Sequence, residues 1–264
     1  AECIICQPEI TSFKTFKSPG KDITAFALQP AGREIACGGS DSSIYTWDLD
    51  GSSWLPVQLL GPIRQTRVLA YDLTGEHLTC ASGDHNIRVY RRKDFSLIKT
   101  LEGHTAQIRS LVLHPDSRTL YSAGFDRTIR SWRFPAGPQL QTIYNGQAEI
   151  FGLHLSAEGD ILTAAGSDRA IRVWSLPSAA LLHQSAPLPA GITAIAGSSQ
   201  QWIACYTSDQ TIHFYNMDSA RPIRAPMMCD RPYLHLAFHP GEQFLFGIAR
   251  DGQITCFNIL TGGQ

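Results

Sequence analysis

The sequence predicts an all-β fold assembled from repeated four-stranded antiparallel sheets, and three observations carry the prediction. First, six segments share one pattern: "CGGSDSSIYTW", "CASGDHNIRVY", "SAGFDRTIRSW", "AAGSDRAIRVW", "CYTSDQTIHFY" and "GIARDGQITCF". Second, their aspartates, Asp41, Asp84, Asp126, Asp168, Asp209 and Asp251, follow one another at 43, 42, 42, 41 and 42 residues. A fixed period of that size is the mark of a repeat architecture. Third, Pro and Gly punctuate the joints, and no segment has the apolar spacing of a long helix.

Each period opens with an apolar strand, seen in "ITAFALQP", "IRSLVLHP", "IFGLHLSA" and "LHLAFHP", which usually runs into a Pro, Gly or Asp turn. The second strand is the short alternating or apolar run before the aspartate, such as "TLYSA" or "DILTAA", and the third is the run after it, such as "TIRSW" or "AIRVW". A tight turn joins the two, with the Asp side chain bonding local backbone amides. A weaker fourth strand follows the aromatic, as in "SLIKTLEGH" and "QLQTIYNG". One such unit has two faces to cover and two edges to protect. Stacking units face to face answers both needs, and closing the row into a ring leaves no terminal unit with an open apolar face. That is the logic of a β-propeller.

The ends of the chain bear on the blade number. The segment "SFKTFKSPGKDI" aligns without gaps with "LIKTLEGHTAQI" at residues 97–108, so residues 12–17 read as a fourth strand placed ahead of the first repeat. The sixth repeat stops after its third strand, "QITCFNIL". The expectation is one propeller domain over residues 1–264 with six blades, the last completed by residues 12–17. "CIICQ" also reads as a third strand and has no place in such a ring. Seven blades, or part of a longer array, is therefore the alternative.

The bulk composition excludes little but points one way. With 22 Lys+Arg against 23 Asp+Glu the net charge is −1, so no global field draws the chain to nucleic acid or an anionic membrane. "AECIICQPEITSF" has no basic segment leading into a long apolar stretch, and no run approaches the roughly 18 apolar residues of a membrane span. The chain starts without methionine and reads as processed or cut from a longer one. Seven cysteines, an odd number, point to a cytoplasmic or other reducing intracellular compartment. Cys3 and Cys6 form a lone C-x-x-C with no second ligand pair, and residues three apart on a strand face opposite sides. His235 and His239 stand four residues apart on a strand, about 13 Å, too far to share a metal readily. No metal and no cofactor are expected.

Gly103-His104 lies before a first strand, Trp47-Asp48 closes a third strand, and His114-Pro115 and His239-Pro240 follow first strands. With these motifs the sequence resembles the WD-repeat β-propeller family over essentially its whole length. The resemblance implies a hydrogen-bonded brace within a blade, made here by His104, Ser122, Asp126 and Trp132. Only the third repeat keeps all four members. Elsewhere the serine position reads Cys37, Cys80, Ala164, Cys205 and Gly247, and the aromatic reads Trp47, Tyr90, Trp174, Tyr215 and Phe257. A Ser-His-Asp set also has the composition of a hydrolase triad, but a nucleophile is not expected on a recurrent, inward-facing position. The chain is expected not to be an enzyme.

The resemblance further implies a top rim lined by two groups. The residue before each turn aspartate supplies Ser40, Gly83, Phe125, Ser167, Ser208 and Arg250. The residues flanking the first buried position of each first strand supply Asp22, Thr24, Arg67, Gln107, Arg109, Glu149, Phe151, Thr193 and Leu234. Large exposed aromatics and arginines favour interfaces, which singles out Phe125, Phe151, Arg67, Arg109 and Arg250, with Gln107 and Glu149 beside them. The expected function is a non-catalytic scaffold or sensor that binds a protein or peptide on this rim, with further domains outside the segment and no membrane partner. A nucleic-acid binder using the rim Arg and Phe residues is the alternative. A propeller enzyme is less favoured, because Asp22 and Glu149, the acids placed on the rim, fall on nonadjacent blades.

Overall fold

A computed structural model describes residues 2–5, 14–17, 22–49, 57–59, 64–176, 178–239, 243–249 and 253–259. Among them every helix or strand element is a β-strand. Strands β1 (Glu2–Ile5) and β2 (Lys14–Lys17) form an antiparallel pair in which Glu2 faces Lys17 and Ile5 faces Lys14. The first repeat holds β3 (Ile23–Leu28), β4 (Glu34–Gly39), β5 (Ile44–Asp48) and β6 (Val57–Leu59). The second holds β7 (Thr66–Tyr71), β8 (His77–Ser82), β9 (Ile87–Arg91) and β10 (Leu97–Leu101), and the third β11 (Ile108–Leu113), β12 (Thr119–Gly124), β13 (Thr128–Arg133) and β14 (Gln139–Asn145). The fourth holds β15 (Ile150–Leu155), β16 (Ile161–Gly166), β17 (Ile171–Ser175) and β18 (Ala180–Gln184). The fifth holds β19 (Ile192–Gly197), β20 (Trp202–Thr207), β21 (Thr211–Asn216) and β22 (Met227–Met228), and the sixth β23 (Tyr233–Phe238), β24 (Phe244–Ala249) and β25 (Ile254–Asn258).

Each repeat is one sheet whose strands neighbour one another in chain order, four strands in the first five repeats and three in the sixth. These are the six blades of a β-propeller, as the period predicts. Two compact units divide the chain: Ala1–Leu113 with Ser117–Leu120 and Trp132–Leu140, and His114–Asp116 with Tyr121–Ser131 and Gln141–Gln264. Of the residues expected to complete the last blade, 12 and 13 lie outside the described residues, and Lys14–Lys17 is paired with β1.

The turn chemistry follows the sequence pattern. The residue after the aspartate takes a left-handed backbone conformation at Ser42, His85, Arg127, Arg169 and Gln210, with φ between 63° and 69°. The carboxylate secures that strained corner by accepting from the amide two residues on: Ser43 N to Asp41 Oδ1 at 3.1 Å, Thr128 N to Asp126 Oδ1 at 3.1 Å and Asn86 N to Asp84 Oδ1 at 3.3 Å. Asp251 lies outside the described residues.

Burial repeats with the period. The pattern isoleucines Ile44, Ile87, Ile129, Ile171 and Ile212 are 0–1% exposed, and the third-strand aromatics Trp47, Tyr90, Trp132, Trp174, Tyr215 and Phe257 are 0–9% exposed. Within each unit neighbouring blade faces seal one another. In the first unit Ala27, Ala36 and Ile44 pack with Leu69, Tyr71, Leu78, Cys80 and Tyr90 of the next sheet. In the second unit Ala204, Ile212 and Phe214 pack with Tyr233, Leu236, Leu245 and Phe257. Two places break the rule. Ile254 is 47% exposed, and Phe26 is 47% exposed where Leu69, Leu111, Leu153 and Leu236 are 6–8% exposed at the same position of their strands.

Candidate functional site

The rim is built by a backbone irregularity at the start of the first strands. Pairing with the second strand skips one residue between Ile23 and Ala25, Thr66 and Val68, Ile150 and Gly152, Ile192 and Ala194, and Tyr233 and His235. Each skip is a β-bulge, which leaves one residue out of the ladder and re-aims its side chain. The bulged residues are Thr24, Arg67, Phe151, Thr193 and Leu234, and Arg109 occupies the matching sequence position in β11. A main-chain bond closes the same corner: Ser40 N to Asp22 O at 2.9 Å, Gly83 N to Gln65 O at 3.0 Å, Ser167 N to Glu149 O at 2.8 Å and Ser208 N to Gly191 O at 2.8 Å. The residues before the turn aspartates are thereby tied to the entry of the first strands, and the two groups read from the sequence form one edge in each of these blades.

Exposure differs from the expectation at the aromatics. Phe125 and Phe151 are half-buried rather than exposed, and they meet edge to face with ring centroids 5.9 Å apart. Such a pair satisfies itself in part by stacking. Gln107 and Glu149 are half-buried, Asp22, Thr193 and Leu234 are exposed, and Arg250 lies outside the described residues. Arg109 is exposed by area, yet its guanidinium is held below its ordinary pKa, first by burial of the charged group and then by the charge of Arg67. Arg67 is half-buried, and its Nε is shielded without a hydrogen-bond partner.

The brace residues are buried in their own units. His104, 7% exposed, lies 6.0 Å from Trp132 between ring centroids in the first unit. In the second unit Ser122 is 0% exposed, and Asp126 accepts from Thr128 Oγ1 at 2.8 Å with Arg130 3.8 Å away. The structure adds a partner that the sequence reading missed, four residues after the aspartate. Tyr45 Oη donates to Asp41 Oδ2 at 2.8 Å, Arg88 forks onto Asp84 at 3.2 and 2.5 Å, and Arg172 forks onto Asp168. The recurrence of Arg at that offset in "DHNIR", "DRTIR" and "DRAIR" was the available signal. At the serine position burial pushes the Cys80 thiol up to about 12 and raises that of Cys205, so both are inert at neutral pH.

Two cavities lie at the opposite ends of the strands. One of about 610 Å³ is lined in the first unit by Gln29, Glu34, Glu76, His77, Arg92 and Phe95. Its buried Glu34 accepts from Tyr71 Oη at 2.5 Å and has Arg92 Nε 3.3 Å away, so the carboxylate is held by structural partners. The other, about 250 Å³, is lined in the second unit by residues that include Ser156, Glu158, Asp160, Ser198, Gln200 and Met217. Among the described residues no three His, Cys, Asp or Glu side chains converge to hold a metal, and no helix is long and apolar enough to cross a membrane.

Comparison with known proteins gives a consistent match. The profile described as "WD domain, G-beta repeat" matches residues 10–48, 95–133 and 137–175. The chain is 30% identical over 122 residues to "WD repeat-containing protein VIP3" of Arabidopsis thaliana, covering 40% of this chain and 37% of that protein. It is 31% identical over 100 residues to "Uncharacterized WD repeat-containing protein sll1491" of Synechocystis, covering 38% and 28%. To human "WD repeat-containing protein 70" it is 27% identical over 117 residues, covering 38% and 18%. The matched segment thus spans little more than a third of these relatives, or less.

Proposed function

The chain is a WD-repeat protein of β-propeller fold, and from that premise we propose that it is a non-catalytic interaction scaffold or sensor that holds a protein or peptide partner on the bulged rim. One observation carries the reading. The repeat keeps the isoleucine of every turn pattern, whereas the bulge position reads Thr24, Arg67, Arg109, Phe151, Thr193 and Leu234. Five bulged positions and the matching Arg109, filled between them by Thr, Arg, Phe and Leu, suit recognition better than bracing. The WD-repeat family consists in general of such non-catalytic platforms, and the buried thiols Cys37, Cys80 and Cys205 suit a reducing compartment. The brace of His104, Ser122, Asp126 and Trp132 belongs to the scaffold in this reading.

The test is capture from the native cell extract. The double variant Phe125→Ala with Arg109→Ala is expected to weaken partner recovery by about 2–4 kcal/mol without loss of fold. The control alters Arg118 and Glu158, both exposed and away from the rim. Equal recovery from both variants sinks the rim reading, and a partner lost only from the control moves the site to the other edge. Capture abolished by nuclease alone replaces the reading with the nucleic-acid alternative.

A further inference from the structure

Two of the bulge positions carry arginine, and they fall on neighbouring first strands. Arg67 is on β7 and Arg109 on β11, and these strands lie against each other in the first unit. The bulge delivers Arg67 to the rim, and Arg109 holds the matching position on the strand beside it. They sense each other, since the charge of Arg67 adds to burial in lowering the pKa of Arg109.

The rest of the chain shows what it does with half-buried guanidiniums when a carboxylate is at hand. Arg88 forks onto Asp84, Arg172 onto Asp168, and Arg92 lies 3.3 Å from Glu34. Arg67 makes no hydrogen bond and no ion pair among the described residues, and its Nε is shielded from water. Around the two arginines Thr24, Gln65, Gly83 and Gln107 are uncharged, and the exposed Arg64 beside Gly83 adds a further cation. A partly desolvated donor fork next to a like charge costs stability as it stands, and an oxyanion brought from outside relieves both the desolvation and the repulsion.

We infer that Arg67 and Arg109 form the seat for the side-chain carboxylates of an acidic peptide segment on the partner. The inference rests on the rim reading above and names the chemistry of its occupant. Carboxylate is favoured because the fork-to-carboxylate pairing is the one this chain already makes at Asp84 and Asp168. A polyanion such as nucleic acid needs a longer track of cations with stacking aromatics than this short group of arginines supplies.

The experiment measures fluorescence anisotropy of four labelled probes against the 264-residue chain. They are a short peptide of alternating Glu/Asp and Gly/Ser, its Gln/Asn counterpart, a phosphoserine counterpart, and a single-stranded oligonucleotide. The acidic peptide is expected to bind saturably and more weakly as salt rises, with no binding of the Gln/Asn peptide. Arg67→Gln and Arg109→Gln should each weaken it at least about tenfold, and Arg118→Gln should leave it unchanged. The melting temperature of the double Gln variant should not fall, because a like-charge contact is removed, which separates lost binding from lost fold. No binding of the acidic peptide, or binding indifferent to both substitutions, overturns the inference. So does a phosphoserine peptide bound tenfold more tightly, which assigns the seat to phosphate, or selective binding of the oligonucleotide. A native partner captured normally by the double Gln variant but lost with Phe125→Ala would end this inference and leave the rim reading standing.

Discussion

The turn aspartates are charges withdrawn from water at tight corners, and their surroundings set their response to acid. Burial by itself would raise the pKa of Asp84 and Asp168, but the Arg88 and Arg172 forks overrule it and hold both carboxyls below their ordinary range. A folded pKa below the unfolded value means stability that is present above about pH 4 and lost as pH falls through the folded pKa. Asp84→Asn should therefore flatten the acid limb of a urea-midpoint profile below about pH 4, and an unchanged limb would show the fork to be idle. His154 works in the other direction. Burial drives its pKa down to about 4, so the unfolded chain takes up the proton first, and stability is full above about pH 6.5 and declines as pH falls from there. An NMR titration of His154 with a midpoint near 4 is the expected result. At the third turn Asp126, whose carboxylate is 1% exposed, should cost about 1–3 kcal/mol on replacement by Ala, read as a lower melting temperature with no change in any hydrolytic background.

At the scale of strands the bulge and the glycines decide how closely first strands approach. A Cβ on Gly197 of β19 would lie 2.0 Å from the His154 ring on β15, so Gly197→Ala should destabilise by about 1–3 kcal/mol through forced displacement of a buried imidazole. A melting temperature equal to wild type would mean that the two strands separate easily. Among the described residues β25 is the outer strand of a three-stranded sheet, and an outer strand edge is a template for further pairing. We propose that residues 12–17 supply that pairing in the protein. Deleting residues 1–18 should then promote aggregation, and a monomeric, cooperatively melting product would remove the proposal. The strands and their turns were legible in the sequence because alternation, Pro/Gly punctuation and the Asp at a fixed period act within a few residues. The bulges were not, because one skipped residue in a ladder leaves the alternation on each side intact.

Across the molecule the repeat provides its own controls. Phe26 and Leu28 are 47% and 51% exposed on β3, where the residues in register on β7, Leu69 and Tyr71, are 7% and 8% exposed. Ile254 is 47% exposed where five equivalent isoleucines are 0–1% exposed. Apolar faces of this kind invite association. The chain is expected to self-associate with rising concentration, and Phe26→Glu or Ile254→Glu to shift sedimentation toward monomer without lowering the melting temperature. A wild-type chain that stays monomeric throughout would show that these faces are shielded in solution.

The candidate rim divides the same way between what is local and what is not. That Arg67, Arg109, Phe125 and Phe151 belong to a rim was an expectation that the family resemblance implied once it was mapped onto the period. That Phe125 and Phe151 stack on each other, that the charge of Arg67 reaches Arg109, and that the turn aspartates take their partners four residues on required side-chain positions in space. By itself the sequence determined the strands, the tight Asp turns and the repeat, because alternation and turn hydrogen bonds are settled among neighbours in the chain. Only the tertiary structure decided which copy of a repeated residue is buried. Ile44 and Ile254 sit in the same local pattern, yet Ile44 is 0% exposed, packed with Leu69, Tyr71 and Leu78 of the next sheet, and Ile254 is 47% exposed.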